Sequence, residues 1–152
     1  MSRAFVKEND DIEPLPERPV SSHPNLVTER GLSLIEEELA RASAAYADAQ
    51  ARSDRDALGK IGRDLRYWQQ RRASAQAIRS SDAATDVRFG CSVTIKREDG
   101  RRQTWRIVGE DEAEPAKGSI SYVAPVARAL MGKSVGDVVT VGQTGAEILA
   151  IA

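Results

Sequence analysis

Between Thr28 and about Arg79, apolar residues recur at intervals of three and four. Leu32, Ile35, Leu39, Ala42 and Tyr46 draw one stripe; after a polar interruption, Leu58, Ile61, Leu65, Trp68, Ala75 and Ile78 draw a second. This period gathers apolar side chains on one face of an α-helix, and that face must be covered. Two such stripes joined by a short break predict an antiparallel helical hairpin whose arms cover each other. Arms of equal length place the tip near Ser53 to Arg55. Thr28 is the expected N-cap of the first arm. Ser53 is expected to cap the second, with Asp56 at the third helical position completing a capping-box-like pattern. Gly59 and Gly62 each cost a helix interior roughly 1 kcal/mol relative to Ala, close to the tip where fraying costs least.

From about Phe89 onward the period changes to two. Cys91 to Glu98 alternates, as does Gln103 to Val108, and Asp99-Gly100 between them is a strong hairpin-turn signal. Ser119 to Val123, Asp137 to Val141 and Ala146 to Ile151 add three more strands. Pro125 to Met131 reads as a helical turn opened by proline and closed by Gly132. The predicted class is therefore α+β. An N-terminal antiparallel helical hairpin over 26–80 is followed by a small antiparallel β domain with one short helix over 81–152. Residues 1–25 form a leader in which Glu8, Asp10, Asp11, Glu13 and Glu17 alternate with Pro14, Pro16, Pro19 and Pro24. That composition predicts a solvated, disordered segment, because burial cannot offset its ordering entropy.

Charge refines the hairpin. Glu29, Glu36, Glu37, Glu38 and Asp48 make the first arm acidic, whereas Arg55, Lys60, Arg63, Arg66, Arg71, Arg72 and Arg79 make the second basic. Neighbouring arms of opposite sign attract, although exposed pairs contribute only about 0–1 kcal/mol each. A net charge of −1 does not indicate a general nucleic-acid binder. The single cysteine, Cys91, excludes an internal disulfide and fits a reducing cytosol. No apolar stretch approaches the roughly 20 residues of a membrane span, and the first residues lack the apolar core of a signal peptide. A cytoplasmic setting is expected.

Five stretches carry a family resemblance. Leu26 to Leu39 (LVTERGLSLIEEEL) resembles the opening of the helical hairpin of the Gre-type transcription elongation factors. Leu65 to Trp68 is similar to their returning arm, and Arg88 to Ile95 to their first strand. Arg106 to Ala113 (RIVGEDEA) and Ile120 to Lys133 (ISYVAPVARALMGK) are similar to the family patterns RIVGxDEA and SPxARALxGK, with Ala124 where a serine is usual. The resemblance runs from Leu26 to the C-terminus and omits the leader. It implies an FKBP-like C-terminal domain docked at the rim of the RNA polymerase secondary channel, with the hairpin as a prong entering it. In the cleaving members, tip carboxylates help hold a second Mg²⁺, shared with the polymerase active centre, that activates water to cut backtracked RNA. The chain is then a regulator, not an enzyme: it binds no cofactor alone and meets nucleic acid only through the elongation complex. It is expected to be monomeric and to have no membrane partner.

The tip departs from that family. The pattern GDxxENAxY is absent, and the local acids are Asp54 and Asp56. Each arm is shorter by about two turns, a loss of reach on the order of 10 Å at 1.5 Å per residue. A carboxylate that falls short of about 2.0–2.1 Å from Mg²⁺ coordinates nothing. Rnk, a short-pronged polymerase-binding relative, is the apt comparison and a non-cleaving modulator the alternative.

For Asp54 and Asp56 the plain reading is capping and the sharper one is work in the polymerase channel. For Tyr122, Pro125, Val126 and Arg128 the plain reading is a turn into a short helix, and the resemblance makes the same loop part of the polymerase-docking surface. Trp68 and Trp105 fall on apolar stripes and read as packing residues, Cys91 as buried, and Gly109 to Glu112 as a solvated acidic turn. His23 has no metal partners nearby. Two other classes compete. A peptidyl-prolyl isomerase needs an aromatic-lined pocket, for which the C-terminal half offers only Phe89, Trp105 and Tyr122. An interaction module would dimerise through its hairpin.

Overall fold

A computed structural model describes residues 15–80 and 84–152. The acids Glu8, Asp10, Asp11 and Glu13 and the proline Pro14 of the leader lie outside the described residues.

Helix α1 spans Glu29–Ala51 and helix α2 spans Arg55–Ser74. At 1.5 Å per residue these are rods of about 34 and 30 Å. Thr28 caps α1 as expected, its hydroxyl accepting the Gly31 N–H at 3.0 Å. Ile35, Ala42 and Ala49 are buried at intervals of seven, so the seam between the arms has coiled-coil spacing and small residues toward the tip. Gly62 is buried opposite Tyr46, whose ring carbon would stand 3.3 Å from an added Cβ. This glycine therefore serves close packing, while Gly59 meets nothing.

The second arm stops earlier than the sequence predicts. α2 ends at Ser74, and Gln76–Ala77 forms a two-residue strand, β2, parallel to β1, Leu26–Val27. Ala75 and Ile78 are therefore not on the helical stripe. Charge is also distributed differently. Arg72 reaches Glu36 across the arms at 3.1 Å, but Arg66 turns to the leader and Arg71 to the sheet body.

The body is a five-stranded sheet in the order β5-β4-β3-β7-β6. Its strands are β3 (Ser92–Arg97), β4 (Arg102–Val108), β5 (Ser119–Ser121), β6 (Val138–Val141) and β7 (Thr144–Ile151). The β3–β4 hairpin turns at Asp99-Gly100, where Gly100 takes φ +84°. The β4–β5 pair is parallel, so the sheet is antiparallel-rich and not purely antiparallel as predicted. The crossover between them carries the acidic run and a 3₁₀ turn at Pro115–Lys117, which leaves β5 running alongside β4. Helix α3, Pro125–Leu130, begins on proline and ends before Gly132 at φ +79°. It seals one face of the sheet: Ala127 and Leu130 join Val93, Ile95, Ile107 and Ile148 in the core. Cys91 is buried, and Trp105 packs against the core as expected. Among the described residues, no helix is long and apolar enough to cross a membrane.

The leader departs from the expectation of a solvated segment over its described part. Glu17 and Arg18 pair with Arg66 and Asp64 on α2, and Asn25 is buried at the base of the hairpin. Their polar partners on α2 supply what a hydrophobic core would not.

Candidate functional site

The hairpin tip is the three residues Arg52 to Asp54. Ser53 turns the chain with φ +51°, a left-handed conformation, and so cannot be the extended N-cap assigned to it from sequence. That role falls one residue later. Asp54 is extended, and its Oδ1 accepts the Ala57 N–H at 3.1 Å. Its Oδ2 lies 3.5 Å from Arg52 Nη1, while Arg52 Nε holds Asp48 at 2.9 Å. Asp56 becomes the second helical residue, too early for a capping box, and stays exposed in the first turn where a negative charge complements the helix dipole. One tip carboxylate is thus committed to holding the helix and one is free. Among the described residues, no group of three or more His, Cys, Asp or Glu side chains is placed to hold a metal.

The predicted docking loop divides. Pro125, the first residue of α3, and Arg128, in its last turn, are exposed, and Arg128 makes no ion pair among the described residues. Val126 is half-buried against the core. Tyr122 faces the end of the leader: its hydroxyl donates to the Pro24 carbonyl, and its ring meets Phe89 edge-on at 5.7 Å and 80°. Burial, and then the nearby Glu110 carboxylate, push its phenol above the ordinary value.

Between tip and loop lies a polar junction that the sequence reading missed. The run Gly109 to Glu112 is not a solvated acidic turn but the socket for the hairpin base. Arg71, 2% exposed, donates from Nε to Asp111 at 2.5 Å and from Nη2 to Asn25 Oδ1 at 2.7 Å. Glu110 Oε2 lies 3.8 Å from the same Nη2. Asn25 returns a bond from Nδ2 to the Arg71 carbonyl at 2.7 Å. Tyr67 donates its hydroxyl to the other oxygen of Asp111, and Thr28 donates to Glu112, which is 8% exposed. A buried guanidinium is tolerable only when its donors are met in this way. Burial, followed by the Asp111 hydrogen bond, raises the Tyr67 phenol to about 12.

Two glycines make the close approach feasible. A Cβ on Gly109 would run into the Leu26 carbonyl oxygen, and one on Gly31 would stand 2.8 Å from Glu112 Oε1. A signal for Arg71 does exist in the sequence. The second apolar stripe skips from Trp68 to Ala75, and arginines fill the missing turn.

The sequence was also compared with those of known proteins. Residues 82–152 match the family described as "Transcription elongation factor, GreA/GreB, C-term". The chain is 33% identical over 148 residues to a transcription elongation factor GreA of Desulfovibrio desulfuricans, covering 82% of this chain and 91% of that one. It is 34% identical over 142 residues to the GreA of Ralstonia nicotianae, covering 80% and 90%. Among solved structures, the GreA factor homolog 1 (Gfh1) protein of Thermus thermophilus aligns over 86% of this chain and 99% of its own, at 19% identity and a TM-score of 0.42. On the strength of these two sequence matches, which span about nine-tenths of each relative, this chain belongs to the GreA/GreB family of transcription elongation factors.

Proposed function

We propose that this chain binds RNA polymerase at its secondary channel as a monomer, with the sheet body on the rim and the hairpin inserted, and modulates elongation. What supports this reading is the junction. Arg71, Asn25, Tyr67 and Asp111 fasten the two arms to the sheet at their base, so a load on the tip is carried to the body. A prong free to swivel could not hold a position inside a channel. Pro125 and Arg128 stand exposed on the body, available to a partner surface, while Tyr122 and Val126 hold their loop in place from behind.

The tip supports a non-cleaving mode. The polymerase's second Mg²⁺, when bound, supplies activated water for transcript cleavage. Asp54 spends one oxygen on the α2 N-cap and shares the other with Arg52, which leaves Asp56 as the free carboxylate. The test is co-purification with core polymerase, followed by a backtracked-complex assay. Binding should be retained by wild type and weakened about tenfold or more by Arg128→Glu, a change of roughly 1.4 kcal/mol. Added protein should leave backtracked transcripts uncut beyond the polymerase's own rate. Shortened transcripts whose appearance requires Asp56 would restore the cleaving mode; failure to bind at all would end the reading.

A further inference from the structure

The described part of the leader is held at two places of very different character. At its C-terminal end, Asn25 is 4% exposed, exchanges hydrogen bonds with Arg71, and accepts the Gln76 N–H through its carbonyl at 2.9 Å. That end is built into the junction. Toward its N-terminal end, Arg18 lies 3.8 Å over the Tyr67 ring and pairs with Asp64 at 3.2 Å. Glu17 meets Arg66 Nη2 at 2.6 Å. Asp64, Tyr67 and Trp68 are spaced three and four apart, so the segment lies along one flank of α2. Between the two holds, Pro19, Val20, Ser22 and His23 are exposed, and the chain bends at Ser22 and His23.

The inner hold is buried and mutually bonded. In the outer one Glu17 and Arg66 keep 60% and 53% of their side-chain exposure and Arg18 and Asp64 keep 34% and 46%, and pairs this open to water are weak and readily exchanged with it. The outer part can therefore lift away while Asn25 stays. It also occupies the flank of the very element that, in the polymerase reading above, has to enter a channel. There it widens the prong just above its base and satisfies Arg66, which then cannot meet a channel wall.

We propose that Glu17 and Arg18 form an autoinhibitory strap: closed, it occludes the α2 flank, and the strap must open for the prong to engage polymerase. This inference rests on the channel-binding reading. A protein competent only when open shows an apparent affinity reduced by its open fraction. If the strap is closed about 70–90% of the time, opening it permanently gains roughly threefold to tenfold in affinity.

The full chain carrying Glu17→Ala and Arg18→Ala together, and a second form lacking residues 1–18 but keeping Asn25, should both bind core polymerase about threefold to tenfold more tightly than wild type. In a Trp105→Phe background, the same changes should make Trp68 fluorescence more accessible to a neutral quencher in the free protein. Equal or weaker binding by both variants, with wild type binding normally, would overturn the strap and leave the polymerase reading standing. Unchanged Trp68 quenching would overturn it too, since the segment would then not be covering α2 in solution. If neither wild type nor variants bind, the channel reading and the strap fall together.

Discussion

Arg71 is the residue on which the rest of the molecule turns. A guanidinium with 2% of its surface exposed carries a charge that water no longer stabilises, so its neighbours must. Asp111 and Asn25 accept its hydrogen bonds, and Glu110 adds a second negative charge nearby. Tyr67 then completes Asp111 from the other side, and this contact has a pH signature. Burial and the Asp111 carboxylate both oppose ionisation of the phenol, raising it from 10.0 to about 12. The folded protein therefore holds this proton more tightly than the unfolded chain. The stabilisation is whole below pH 10 and is lost as pH climbs toward about 12, once the phenolate faces the carboxylate. The stability difference between wild type and Tyr67→Phe should accordingly be constant up to pH 10 and shrink above it. A phenolate absorbance titration should place one tyrosine near 12. A difference that stays flat across that window would show that Tyr67 is not bonded to Asp111.

The elements owe their limits to short-range chemistry, and the tip of the hairpin shows how sharply. Asp54 caps α2 through Ala57 N–H, so Asp54→Ala should cost about 1 kcal/mol, whereas Asp54→Asn, which still accepts that bond, should cost a few tenths. Thermal unfolding of the two variants checks this, and equal losses would mean that charge against the helix dipole matters more than the cap. Much of this layer is readable from sequence: the Thr28 cap, the Asp99-Gly100 hairpin and the Pro125 start of α3 all occur where turn and cap residues put them. The cap of α2 was displaced by one residue because Ser and Asp are both good caps and only the φ of +51° at Ser53 separates them. The pairing of β1 with β2 was not readable at all. Two residues are too few to show a period, and their partners are fifty positions apart, Leu26 with Gln76. The parallel placement of β5 was hidden for a related reason: the acidic crossover reads as a surface turn until the hairpin base that it receives is known. At the candidate site, the positions of Asp54 and Asp56 followed from the helical stripes. The inward turn of Tyr122 did not, since nothing local announces a bond to a carbonyl ninety-eight residues away.

Taken as one body, the protein is two independently patterned parts joined by polar chemistry, where most domains would use a hydrophobic seam. That choice makes the joint specific in direction, because hydrogen bonds fix an angle where apolar contact would allow sliding. It also makes the joint vulnerable to loss of a single partner. Arg71→Ala would leave the part-buried Asp111 and Glu110 without their cation, and since breaking a fully buried pair from one side costs about 3–5 kcal/mol, the loss here should lie toward the lower end, about 3 kcal/mol. Replacing Arg71 and its nearest partner together, with Arg71→Met and Asp111→Asn, should be milder because only Glu110, 3.8 Å away and 23% exposed, is left unmatched. In a Trp68→Phe background, the single variant should uncouple the parts, so that helical circular dichroism is lost at a lower temperature than the near-ultraviolet signal of Trp105 in the sheet body. The double variant should bring the two transitions closer together. Its affinity for core polymerase should nevertheless stay below wild type, since the prong keeps its fold but loses the bonds that set its angle. A single variant that melts in one transition at the wild-type temperature would mean that the joint is held elsewhere, and the strand pair at Leu26 and Gln76 would then be the place to look.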